Sequence, residues 1–208
     1  MKYYRIEFEI EDDGPYENPH TVYVKNEESL EYMKPKDNYE NQIEYFEKFP
    51  TRSIGTLFER RKYTDFMVAA PWCFGLEAAV NKRIKGIFEE LNISKKEYYL
   101  KKIDIKKIHE DFFLLFIPLI REEDYYFPEC RFNDFNSEED IFFKNNEEFQ
   151  KDDRLLNCKH IALNNKYKDC DFLNLRYGFF VSERIINKFQ EMKITGWELS
   201  KRPSISFY

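Results

Sequence analysis

The sequence predicts an α+β fold with a mixed, largely antiparallel sheet and two helix–turn–strand units. One compact domain is expected, with residues 1–60 as a candidate N-terminal lobe and 61–208 as the main lobe. Three observations carry this expectation. Strand-like and helix-like stretches are interspersed without the regular βαβ rhythm of a parallel sheet. Of the 208 residues, 42% are apolar and 35% charged, a globular rather than a disordered balance. The chain also holds 21 Phe and 15 Tyr but only 6 Gly. No two glycines stand close enough for a phosphate-binding loop, a dinucleotide fingerprint or a nucleophile elbow.

Residues 3–10 alternate, with Tyr4, Ile6, Phe8 and Ile10 on one side and Tyr3, Arg5, Glu7 and Glu9 on the other, the pattern of a half-buried strand. Glu11 to Pro15 reads as a turn, and Thr21 to Val24 as a second strand. In the polar stretch 26–50, Ile43, Phe46 and Phe49 can line a short helix. Phe66 to Ala70 reads as a buried strand stopped by Pro71. Leu76, Val80, Ile84, Ile87, Phe88 and Leu91 recur at helical spacing, which predicts an amphipathic helix over 76–91. Short strands follow at 98–100 and 112–117. The acidic stretch 121–153 reads as long loops with one strand near 140–144. Leu155 to Leu163 and Phe179 to Val181 read as strands, the latter feeding a helix over 183–192. Short extended pieces at 197–199 and 205–207 close the chain.

The segment from Arg83 to Ser94 echoes the one from Arg184 to Thr195. Arg, Ile, Phe, Glu and Ile coincide at a constant offset, and an aromatic-x-Leu step follows each: Tyr98-Tyr99-Leu100 and Trp197-Glu198-Leu199. Both copies read as helix, tight turn, strand. Ser182 suits the N-cap of the second helix and Gly196 its exit turn, whereas Gly86 inside the first helix is a mild cost.

The run Phe179-Phe180-Val181-Ser182-Glu183-Arg184, with Met192-Lys193-Ile194-Thr195-Gly196-Trp197-Glu198-Leu199, resembles the immunity protein 11 family of bacterial polymorphic toxin systems. The likeness extends more loosely over 65–120, where Asn81-Lys82 stands in place of the Ser-Glu pair. It implies a cytoplasmic protein that binds a cognate toxin and blocks it. It assigns no toxin-contact residue, because the matching residues have structural characters.

Charge is uneven along the chain. The net is −6, but residues 7–50 carry −9, 82–108 carry +5 and 121–153 carry −8. Solvated faces explain such runs; so does an acidic face that steers a basic protein partner. Nucleic acid is disfavoured, since the basic excess is small and local. Charges begin at Lys2, and no apolar run approaches the ~20 residues of a membrane helix, so a cytoplasmic protein with no membrane contact is expected.

The acidic stretch supplies the candidate contact residues: Glu122, Glu123, Asp124, Tyr125, Tyr126, Phe132, Asp134, Phe135, Glu138, Glu139 and Asp140. Exposed aromatics would anchor a partner and carboxylates would steer it. The structural alternative is that these aromatics fold back onto the core. Cys158, His160 and Cys170 form the best metal candidate, but a zinc site needs a fourth ligand, and ordinary core or surface roles fit as well. No cofactor is expected. Cys73, Cys130, Cys158 and Cys170 lack any CxxC pairing, and none has a local catalytic signature. The expected function is therefore non-enzymatic binding and occlusion of a toxin, for which a basic partner such as a nuclease fits the charge. The alternatives are a small hydrolase or transferase built on scattered Glu, His and Cys, and a self-associating interaction module. The oligomeric state is not readable from the sequence.

Overall fold

A computed structural model describes residues 1–11, 18–33, 41–58, 63–73, 75–135, 137, 139–200 and 203–208. In chain order its elements are β1 (Tyr3–Phe8), β2 (Ile10–Glu11), β3 (Asn18–Pro19), β4 (Thr21–Val24), α1 (Glu27–Tyr32), α2 (Gln42–Lys48), β5 (Arg52–Leu57), β6 (Phe66–Ala70), β7 (Leu76–Asn81), α3 (Lys82–Glu90), β8 (Tyr99–Ile105) and β9 (Phe112–Phe116). Then come β10 (Arg131–Asp134), β11 (Asp140–Ile141), α4 (Asn146–Gln150), β12 (Leu156–Leu163), β13 (Phe172–Leu175), β14 (Gly178–Ser182), α5 (Glu183–Glu191), β15 (Trp197–Ser200) and β16 (Ser204–Phe207). The class is α+β with mixed, largely antiparallel sheets, as expected. No helix among the described residues is long and apolar enough to cross a membrane.

The chain divides into two compact units, and the division does not fall at residue 60. One unit comprises residues 7–119 and 184–198; the other comprises 1–6, 120–183 and 199–208. The expected lobe 1–60 is not a unit because β4 and β5 close a barrel with strands from beyond residue 60.

That barrel runs β4-β5-β8-β9-β7-β6. The β4–β6 and β5–β8 contacts are parallel and the other four antiparallel. Its interior is filled by Val22, Met67, Leu76, Ile103, Phe112 and Leu114 among others. The α2 helix lays Phe46 and Phe49 against Phe116, with ring centroids 5.4 and 4.8 Å apart. Ile43, read from the sequence as part of the same apolar face, is exposed.

The helix expected over 76–91 is a strand followed by a helix. Leu76 to Asn81 is β7, held between β6 and β9, and all of it except Glu77 is buried. Leu, Glu and Ala favour a helix, but a short apolar run does not distinguish a helix from a strand buried on both faces, and tertiary pairing decides here. Asn81 then caps α3, its side chain accepting from the backbone N–H groups of Arg83 and Ile84.

The internal echo is structural. The α3 and α5 helices both end on a residue with positive φ, Asn92 at 52° and Lys193 at 50°. Each is followed by the same hydrogen bond, from Ile93 N–H to Phe88 O at 3.0 Å and from Ile194 N–H to Phe189 O at 2.9 Å. Phe88 meets Tyr98 edge-on and Phe189 meets Trp197 in the same way. Upstream, the β6–β7 and β13–β14 hairpins share a register: Phe66 faces Val80 as Phe172 faces Val181. An aspartate precedes each hairpin and grips the residue that starts each helix. Asn81 donates to Asp65 Oδ1 at 2.6 Å, and the Ser182 hydroxyl donates to Asp171 Oδ1 at 2.6 Å. Within the barrel unit the two helices interlock reciprocally. Arg83, in the first turn of α3, donates to Met192 O beyond the end of α5; Arg184, in the first turn of α5, donates to Leu91 O at the end of α3, at 2.8 Å. Each cation thus caps the carbonyl end of the other helix.

The second unit holds β13, β14 and residues 3–6 of β1, paired antiparallel, together with the sheet β11-β10-β12-β16. In the latter, β12–β16 is parallel and the other pairings are antiparallel. Its core is a cluster of Phe127, Phe132, Phe143 and Phe149 with Ile161, Leu163, Leu173 and Phe180.

The two helix-region glycines should respond in opposite directions. A Cβ at Gly86 meets nothing within 4 Å, so Gly86→Ala is expected to raise stability by about 0.5–1 kcal/mol. Gly196 has φ +90°, and a Cβ there would lie 2.1 Å from Phe66 O, so Gly196→Ala should lower it by at least about 2 kcal/mol. Urea unfolding of both variants against the parent checks the pair.

Candidate partner-binding surface

The acidic stretch is more ordered than the loops the sequence suggested. It holds two 3-10 turns, Glu122–Asp124 and Phe127–Glu129, then β10, β11 and α4. These turns point alternate aromatics inward and outward.

Two of the proposed anchors are core residues. Tyr125 is buried and bridges to Leu163. Phe132 is fully buried, with Phe127, Phe143, Phe149 and Tyr177 around its ring. Neither is the exposed anchor expected from the sequence: β10 places Phe132 against β12, and the bridge to Leu163 turns Tyr125 inward. Burial drives the Tyr125 phenol well above its ordinary pKa, and the Glu122 carboxylate adds to the shift.

The acids are largely engaged. Asp124 accepts from Lys166 Nζ and Tyr167 Oη, both at 2.6 Å. Asp140 takes Lys159 Nζ at 2.6 Å, and that hydrogen bond holds its carboxyl below the usual range. Glu122 lies 3.6 Å from Arg176. Asp134, at the end of β10, is half-buried. Glu123 and Glu139 are exposed, and Glu138 lies outside the described residues. Counting carboxylates therefore overstates the field that a partner meets, since exposed pairs cancel much of it.

What projects is apolar. Phe135 is 65% exposed, and its N–H donates to Leu155 O at 2.9 Å, which holds it beside Leu155 at 73% exposure. Phe142, next to β11, is 57% exposed. Tyr126 is exposed and packs on Tyr208, with centroids 5.1 Å apart. Phe135 and Tyr126 are sequence candidates that do reach the surface. Leu155 was missed: as the first residue of an expected strand it carried no signal of exposure, and β12 begins one residue later.

The metal candidates are dispersed. His160, on β12, lies between two hydroxyls of β16, with Nδ1 2.8 Å from Ser204 Oγ and Nε2 2.8 Å from Ser206 Oγ. Cys158, two residues earlier on β12, is buried, while the Cys170 carbonyl accepts from Tyr3 Oη at 2.6 Å. Among the described residues, no three His, Cys, Asp or Glu side chains are placed to share a cation.

With this geometry in place, comparison to known proteins adds no assignment: no protein-family model matches the chain, and no curated protein matches it.

The core and surface placements separate two phenylalanines three residues apart. Phe132→Ala is expected to cost about 3–5 kcal/mol, and Phe135→Ala less than about 0.5 kcal/mol, as read by denaturant midpoints.

His160 supplies a pH dependence. Burial first, then the Arg131 guanidinium, hold its pKa below the ordinary 6.5. The folded chain thus protonates His160 at lower pH than the unfolded chain does. The stability it contributes is complete above about pH 6.5 and is lost as pH falls through the folded value. Unfolding midpoints between pH 7.5 and 5 should fall, and His160→Gln should flatten that slope.

Proposed function

We propose that the protein is a stoichiometric inhibitor: it binds a cognate bacterial protein toxin and occludes it, with no chemistry of its own. The observation that carries this reading is the likeness of residues 179–199 to the immunity protein 11 family. In this chain the matching residues have defined structural work. Ser182 is bonded to Asp171, Thr195 to Asp65, and Gly196 occupies a positive-φ turn. The resemblance thus concerns a scaffold, and partner recognition belongs to surfaces outside it.

Phe135 and Leu155, joined by the Phe135 N–H to Leu155 O bond, and Phe142 next to β11 are large exposed apolar side chains, which supports a protein partner. Large apolar side chains rimmed by charge are the usual composition of interface centres. The net charge of −6 favours a basic partner. The state of the thiols favours binding over cysteine catalysis. Burial pushes the Cys73 and Cys130 thiols up to about 11 and raises Cys158 further, so all three are protonated at neutral pH.

Co-expression with the product of the adjacent gene tests the proposal. The expected result is that the neighbour arrests growth alone, that this chain restores growth, and that the two co-elute as a stable complex. A harmless neighbour, or rescue without a complex, overturns it. The double change Phe135→Ala with Leu155→Ala should weaken that complex by at least about tenfold, a hot-spot effect, while leaving the unfolding midpoint of the free protein near that of the parent.

A further inference from the structure

The unit formed by residues 1–6, 120–183 and 199–208 contains a cavity of about 680 Å³, within the range of small-molecule sites. It exists because two strands part. The parallel pairing of β12 with β16 begins only at His160 and Ser204, immediately after Pro203. The preceding segment of β12, Leu156 to Lys159, therefore has no β16 neighbour, and it lines the opening. Pro203 lines it too; lacking an N–H, it cannot extend the ladder toward Lys159.

The chemistry of the wall is one-sided. Arg5 from β1, Lys159 and Asn157 from β12, Asn133 from β10 and Ser200 from β15 bring two cations, two carboxamides and a hydroxyl to the space, and among the described residues no aspartate or glutamate lines it. Cys158 adds no negative charge, since burial keeps its thiol protonated. Lys159 has one of its three donors on Asp140 at 2.6 Å, and Asp140 itself is not part of the wall.

Arg5 is held in place by its neighbours. On β1 it stands opposite Phe180, diagonal to Gly178 across the antiparallel pair. Its side chain lies in the space that a Cβ at 178 would fill, at 2.6 Å from Nε and 2.9 Å from Cδ. Gly178 has φ +132°, so the position favours glycine on both conformational and spatial grounds. An arginine side chain laid over a glycine, beside a cavity whose described lining brings two cations and no carboxylate, is an arrangement suited to an oxyanion.

We infer that this cavity binds a small anionic ligand bearing a carboxylate or phosphate group, with Arg5 as its principal charge partner and Lys159 as the second. The proposal is independent of the toxin reading, because it uses none of the exposed residues assigned to the partner.

The test uses the full chain, titrated calorimetrically with inorganic phosphate and with malonate at fixed ionic strength in chloride buffer; uncharged malonamide is the control. Saturable binding of phosphate alone identifies a phosphate-type ligand, of malonate alone a carboxylate-type ligand, and of both a general oxyanion site; each supports the proposal. Arg5→Gln is expected to weaken binding by about tenfold or more and Lys159→Gln by a smaller factor, as for loss of a charge-assisted hydrogen bond. Arg52→Gln, on the barrel unit where Arg52 is paired with Asp104, should leave it unchanged. If Arg5→Gln does not fold, the comparison of Lys159→Gln with Arg52→Gln decides. No saturable binding of either anion, equal binding of malonamide, or affinities that the Arg5 and Lys159 changes leave untouched would overturn it.

Discussion

The barrel unit depends on one buried carboxylate. Asp65 is 5% exposed and accepts from Arg83 at 2.8 and 2.9 Å, from Asn81 Nδ2 at 2.6 Å, and from the Thr195 N–H and hydroxyl at 2.8 and 3.0 Å. A buried ion is tolerable only when its lone pairs are filled, and these five bonds fill them. They also join three places far apart in the chain: the start of β6, the N-terminus of α3 and the turn after α5. Gly196 follows from the same constraint. Phe66 N–H donates to Thr195 O at 3.1 Å, and this approach leaves no room for a Cβ on the next residue.

The Asp65 network and the reciprocal arginine contacts explain why the two copies of the helix unit keep the same residues. Arg83 serves both, donating to Asp65 on one side and to the end of α5 on the other. Arg184 closes the matching contact at the end of α3, and Lys188 adds an ion pair to Glu90 at 2.7 Å. An arginine at the third position of such a unit faces the exposed carbonyls of an antiparallel neighbour, where a helix dipole favours positive charge. The repeated residues are therefore conditions of packing two helices against each other, and this is why a family-like pattern can lie in this segment without marking a contact surface.

How much of this the sequence disclosed follows from which physics was local. The α5 unit was legible because its strand, helix and turn are consecutive. The β6, β9 and β14 strands were legible because they are apolar runs with clear ends, and β12 because it closes on the apolar Ile161-Ala162-Leu163. The β7–α3 boundary was misread because Leu76 and Val80 happen to continue the period of Ile84 and Phe88; Asn81, aligned with Ser182, already marked the true start. The α1 helix and β5 were missed, being polar stretches that gain order from barrel closure and from the buried Ser29–Ser53 hydroxyl contact at 2.7 Å. The pairs Asp65-Phe66-Met67 and Asp171-Phe172-Leu173 were a readable sign of repetition, hidden because the loops that follow differ in length. Of the proposed contact residues, Phe132 turns inward because strand alternation depends on register, set by β12 about 30 residues downstream, and Tyr125 because it bridges to Leu163 at the end of the same strand.

Opposite charge characters coexist in the unit containing residues 120–183 because they act over different ranges. The carboxylates of Asp124 and Asp140 are tied to lysines at the surface, where solvent and salt limit their reach to about a Debye length, some 8 Å at physiological ionic strength. Arg5 is half-buried along the cavity wall, where a charge less surrounded by water is felt more strongly. Lys159 belongs to both settings: it lines the cavity, and its ammonium donates to Asp140. An anion entering the cavity would compete with Asp140 for that ammonium, and a lysine released from one carboxylate alters the charge presented beside β11.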